Sequence, residues 1–105
     1  MNLLSLLNSI VEDLDALIRA SADPLEQAQL TKLRDAYDAM SDQAVHQLFD
    51  SASADYASAI KSLTAATADA KAGAADVSKI GQAIKSAVTA ANAVDKLIGF
   101  LAHLP

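Results

Sequence analysis

The sequence predicts an all-α protein folded as an up-down-up-down four-helix bundle. Three observations carry that prediction. Alanine supplies 24 of the 105 residues, against three glycines and two prolines, and that composition favours helix over strand. Apolar residues recur at steps of three and four along most of the chain. The breaks between these periodic runs fall at cap-forming residues, Asp23-Pro24 and Gly73 among them. A chain of this length makes a single domain, residues 1–105, with one modest core. With only Tyr37, Phe49, Tyr56 and Phe100 as aromatics and no Trp, that core is expected to be aliphatic and alanine-lined.

The first helix is expected from Leu3 to Ser21. Leu3, Leu7, Ile10, Leu14 and Leu17 form its stripe, and Leu4, Val11 and Ile18 widen it. So wide a face predicts contact with two neighbours. Asp15 and Arg19 stand at the favourable i, i+4 spacing. In Asp23-Pro24-Leu25-Glu26 a capping acid precedes Pro at the first helical position and Glu at the third, so a second helix begins at Pro24. Its stripe is Leu30, Leu33, Tyr37, Met40, Ala44 and Leu48.

From Ala52 to Ala70 the stripe becomes Ala52, Tyr56, Ala59, Leu63, Ala66 and Ala70. On a helical wheel it is rotated by about 100° from the preceding stripe. A turn is therefore expected at Asp50-Ser51-Ala52-Ser53, with Ser41 as the rival break. Without the break at Asp50–Ser53 the alternative is a three-helix arrangement with one long central helix. Gly73 is placed just past the end of the third helix, with Lys71 in its last turn.

The fourth helix is expected from about Ala74–Asp76 to about His103. Val77, Ile80, Ile84, Ala87, Ala91, Val94, Ile98 and Leu101 make an unbroken heptad seam along it. The middle of the seam is small, and Gly81 is read as a point of close helix approach. In the expected topology both chain ends meet at one apolar pole, with Leu3, Leu4, Leu6 and Leu7 facing Leu97, Phe100, Leu101 and Leu104.

Charge narrows the function. The net charge of −5 divides into −7 for residues 1–58 and +2 for residues 59–105. An acidic chain without a basic cluster is not expected to bind nucleic acid through its phosphates. The sign asymmetry would suit antiparallel self-association or internal docking of the two halves, but acidic, solvated helix faces are the preferred reading. The absence of Cys excludes disulfides, thiolate metal sites and thiol catalysis. The apolar N-terminus lacks a basic leader, and Glu12, Asp13 and Asp15 interrupt it early, so neither a signal peptide nor a transmembrane helix is expected. The chain reads as cytoplasmic.

No catalytic constellation emerges. His46 has Asp42 and Asp50 at i−4 and i+4, a spacing that would suit a metal or acid–base group on one helical face. The companion signature of di-iron bundles, Glu-x-x-His, is missing; Gln43 stands where its carboxylate belongs. Ser58-Ala59-Ile60-Lys61 matches Ser-x-x-Lys, but the accompanying Ser-Asp-Asn and Lys-Thr-Gly strings are absent. Gly81-Gln82-Ala83-Ile84-Lys85-Ser86 lacks the Gly before Lys that a phosphate loop requires. No enzyme activity, cofactor or metal is expected. The expectation is a non-enzymatic bundle that binds a protein partner or a second copy through the heptad helix. The alternatives are a membrane-active helical protein using the apolar pole, such as a small toxin subunit or lipid-surface binder, and an acidic decoy of a basic protein site.

Overall fold

The computed structural model describes residues 2–47, 49, 50 and 52–99. Among them are four α-helices, α1 (Leu3–Ala20), α2 (Pro24–Ala44), α3 (Ala54–Ala75) and α4 (Ile80–Ile98), a 3₁₀ turn over Val77–Lys79, and no strand. The helices alternate in direction. Ser41, late in α2, bonds Asn8, early in α1, and Lys96, late in α4, pairs with Asp55, early in α3. The side-chain amides of Gln43 and Gln47 both reach the Ile98 carbonyl at the end of α4. The result is the up-down-up-down bundle, flattened to 39 × 29 × 17 Å. Its four interfaces are α1–α2, α1–α3, α3–α4 and α2–α4. Consecutive α2 and α3 therefore sit across a diagonal, spanned by residues 45–53. The neighbours α1–α3 and α2–α4 run parallel.

The apolar stripes form one core. Leu3, Leu6, Leu7, Ile10, Leu14 and Leu17 of α1 are buried, and Leu4, Val11 and Ile18 pack at its edge. The wide face of α1 thus meets both α2 and α3. Leu30, Tyr37, Met40 and Ala44 of α2 and Ala59, Leu63, Ala66, Ala70 and Gly73 of α3 complete the interior with α4. Leu48 lies outside the described residues.

Asp23 caps α2, its carboxylate accepting from the Leu25 N–H at 2.9 Å. Glu26 does not reach back to the Asp23 backbone as a capping box would. It accepts instead from the buried Ser21 hydroxyl at 2.8 Å, and that hydroxyl oxygen accepts from the Asp23 N–H. Gln27 donates to the Ser21 carbonyl at 2.6 Å, so the tight turn leaves its polar groups paired.

Several expectations require correction. The second break covers more chain than Asp50–Ser53. Ser53 does cap α3, accepting from the Tyr56 N–H, and Asp50 accepts from the Ala52 N–H. But α2 stops at Ala44, and Val45 beyond it is 57 % exposed, so no apolar contact pays for another turn. Ser41 is not a break; its carbonyl accepts the helical bond from Val45. Ser51 lies outside the described residues. Asp15 pairs not with Arg19 but with Arg34 of α2 at 3.5 Å, while Arg19 is exposed.

Gly73 does not end α3. It is buried within the helix, where a Cβ would stand 2.9 Å from Leu17 Cδ2 and 3.4 Å from Ala83 Cβ. Gly81, read as the point of close approach, has open space around it. Helix α4 ends at Ile98 rather than near His103, because Gly99 turns the chain in the left-handed conformation at φ 71° and donates to the Asp95 carbonyl. His103 itself lies outside the described residues.

Candidate functional site

The heptad seam divides into two rows once the bundle forms. Ile80, Ala87 and Val94 are fully buried, and Ile98 nearly so. Ile84 and Ala91, which share the other heptad column with Ile98, only pack against the core from its edge, so that column is closed at its end and open along its middle. Val77 is not in the seam at all: it is 62 % exposed. The cause is local. Asp76 accepts from the backbone N–H and the hydroxyl of Ser78 and winds Val77–Lys79 into a 3₁₀ turn, which takes Val77 off the register of α4. Those bonds also hold the Asp76 carboxyl below the usual carboxylate range. The buried stripe is completed by Ala83 and Ala90, which the seam omitted. Leu101 lies outside the described residues.

The half-covered column opens into a groove of about 320 Å³ between α2 and α4, lined by Gln29, Lys32, Leu33, Ala36, Ile84 and Val88. The α2–α4 interface is the least extensive of the four. Its fixed point is the Tyr37 hydroxyl, which donates to the Ala87 carbonyl at 2.5 Å inside the core. Burial, with a smaller contribution from the Asp95 charge, holds the Tyr37 phenol far above its ordinary range, so it remains a donor. Beside that bond Val88 of α4 is 44 % exposed. Leu25, one turn before Gln29, and Val77, two turns before Ile84, are exposed as well and extend the apolar character toward the pole where both helices begin. Lys32 is the only charged residue in the lining.

A second groove, of about 530 Å³, runs between α3 and α4 and is polar, lined by Ser58, Lys61, Ser62, Ala65, Gln82, Lys85, Ser86 and Thr89. Ser86 donates to Asp69 across it. The Ser58 and Lys61 of the Ser-x-x-Lys string are both exposed here.

The apolar pole turns inward. Leu3 and Leu7 are buried, and Leu4 and Leu97 are half-buried against the core; Phe100 and Leu104 lie outside the described residues. No helix among the described residues is long and apolar enough to cross a membrane. His46, Asp42 and Asp50 do not share a helical face, because α2 ends before His46. Among the described residues, no group of three or more His, Asp or Glu side chains is placed to hold a metal.

The sequence pattern located α4 but missed Leu33, Ala36 and Val88 as groove residues. Leu33 was legible only as core, and Val88 fell outside the heptad. No family model, curated protein or solved structure matches the chain.

Proposed function

We propose that this is a non-enzymatic interaction module whose α2–α4 groove receives an amphipathic helix. The observation that carries the reading is the split seam: α4 is apolar on two rows, and the bundle covers only one of them completely. A helix presenting apolar residues at i, i+3 or i+4, and i+7 would cover Leu33, Ala36, Ile84 and Val88. The lining charge defines it further. Lys32 stands in the groove and is engaged in no ion pair among the described residues. A docking helix with an acidic flank is complementary to it.

A photo-cross-linking residue in place of Gln29, on the groove, tests the reading against the same residue at Lys61 in the polar groove. Cross-links to polypeptide from position 29 are expected to disappear with Val88→Asp, while position 61 gives none. Cross-links from position 29 that persist in Val88→Asp, or that arise equally from position 61, would refute it.

A further inference from the structure

We infer that the polar groove between α3 and α4 binds a small ligand with an anionic group at each end and hydroxyls between them, of the class of a sugar bisphosphate. The inference is independent of the α2–α4 groove. It starts from the lining. The groove encloses about 530 Å³, within the range of small-molecule sites. Among the described residues, Lys61 and Lys85 line it and no acid does; apart from Ala65 the rest are hydroxyls and one amide.

That selection is local in a chain of net charge −5. Helix α3 carries no acid from Tyr56 to Ala68, and α4 carries none from Ile80 to Val94. Neither lysine has an ion-pair partner among the described residues. Asp69, just past the acid-free stretch of α3, accepts from Ser86 and is not part of the lining. The hydroxyls differ in what they have left to give. Thr89 turns its own back to the Lys85 carbonyl, as Thr64 does to Ile60. Those of Ser58 and Ser62 make no such bond among the described residues, so the α3 wall offers two donors beside Lys61.

The placement of the lysines sets the shape of the ligand. Helices α3 and α4 run antiparallel, with Asp69 against Ser86 and Asp55 against Lys96. At about 1.5 Å of rise per residue, the first contact puts Lys61 and Lys85 about 14 Å apart along the groove and the second about 8 Å. Side chains on a helix lean toward its N-terminus, and these two helices begin at opposite ends. The ammonium groups therefore lean apart and serve two anionic groups rather than one. Each is a compact point charge of the kind that binds phosphate, and the serine hydroxyls lie on the wall between them.

Calorimetric titration of the full chain with fructose bisphosphate tests this, in buffer free of other phosphate and with helicity checked by circular dichroism. The parent is expected to bind one molecule per chain, and fructose monophosphate about tenfold more weakly. Lys61→Glu and Lys85→Glu are each expected to weaken the bisphosphate by about tenfold or more, while Lys79→Glu, outside the lining, stays within about threefold of the parent. Ser58→Ala combined with Ser62→Ala is expected to cost about fivefold. No saturable binding at millimolar bisphosphate overturns the inference. So does equal affinity for the two sugars, a loss in Lys79→Glu as large as in Lys61→Glu, or serine variants that bind as the parent does.

Discussion

The two sides of α4 are built from residues of different size, and burial runs opposite to size. Toward α3 the helix presents Ala83 and Ala90, both fully buried, against a surface that includes Gly73 and Ala66. Toward α2 it presents Ile84, half-buried, and Val88, 44 % exposed. The reason is approach distance. Small side chains let the inner rows of α3 and α4 pack without exposure, and theirs is the most extensive interface in the bundle; the opening on that side is the polar groove along its outer edge. On the α2 side the larger Ile84 and Val88 line an apolar groove instead of closing it. In an alanine-rich bundle, the larger apolar residues of a stripe mark the surface with room left for a partner.

The comparison breaks most readily at Ala87 and Ala91, the first in the buried row of α4 and the second in the half-covered one. Ala87 is fully buried, and Ala91 only packs at the core's edge. Overpacking a closed site costs about 1–3 kcal/mol, while the change in helix propensity from Ala to Leu is only a few tenths of a kcal/mol. Ala87→Leu is therefore expected to lower the thermal midpoint by several degrees, at about 4–8 °C per kcal/mol for a chain of this size. Ala91→Leu should cost less than half as much. Equal losses in calorimetry would mean that the half-covered row is as tightly closed as the buried one.

The glycines sharpen the comparison with opposite signs. At Gly73 a methyl group would meet Leu17 Cδ2 at 2.9 Å and Ala83 Cβ at 3.4 Å, and Leu17 is itself fully buried, so its side chain has to shift within the core. Gly73→Ala gains about 1 kcal/mol of helix propensity and loses more to that clash, so the net effect is destabilising by about 1 kcal/mol. At Gly81 nothing stands within 4 Å, and the substitution gains propensity alone. Gly81→Ala should stabilise by about 0.5 kcal/mol, tempered because the site lies in the first turn. Urea titrations of the two variants that move in the same direction would contradict this assignment.

Much of this was legible before the coordinates, and what was not has a common cause. The stripe of α1, the cap at Asp23 and the Ser53 start of α3 all depend on local chemistry that a sequence states directly. The tilt of α4's buried face does not. The steps 80, 84, 87, 91, 94 and 80, 83, 87, 90, 94 are equally helical, and hydrophobicity prefers the first because Ile84 outweighs Ala83. Which one is buried depends on how closely α3 approaches, a distance set by Gly73 and the alanines of another helix. For the same reason Gly73, expected to end a helix, admits a neighbour instead, and Gly81, expected to admit one, faces open space. A glycine's composition signal is identical whether it terminates a helix, admits a neighbour or faces water.

The smallest effect belongs to the α2 side and depends on pH. Asp95 follows Val88 by seven residues on α4, near enough to Tyr37 for its charge to act on that phenol. Its Oδ1 is covered and has no hydrogen-bond partner, and burial raises its carboxyl above the usual range. The charge also sits in the last turn of α4, where the helix dipole disfavours an anion. Because the folded value lies above the unfolded one, the native state binds this proton more tightly than the unfolded chain does. The contribution of Asp95 to stability therefore falls as pH rises through the interval between the two values, and the deficit is complete above the raised one. Asp95→Asn removes the charge and keeps the shape. The variant is expected to be more stable than the parent in urea melts at neutral pH, with the advantage shrinking as pH falls through the raised carboxyl value. The other carboxylates titrate alike in both proteins and cancel in the difference. If the parent equals or exceeds the variant at neutral pH, the carboxylate is adequately solvated where it stands. The α2–α4 side would then be wetter below the Tyr37 bond than its covered oxygen implies.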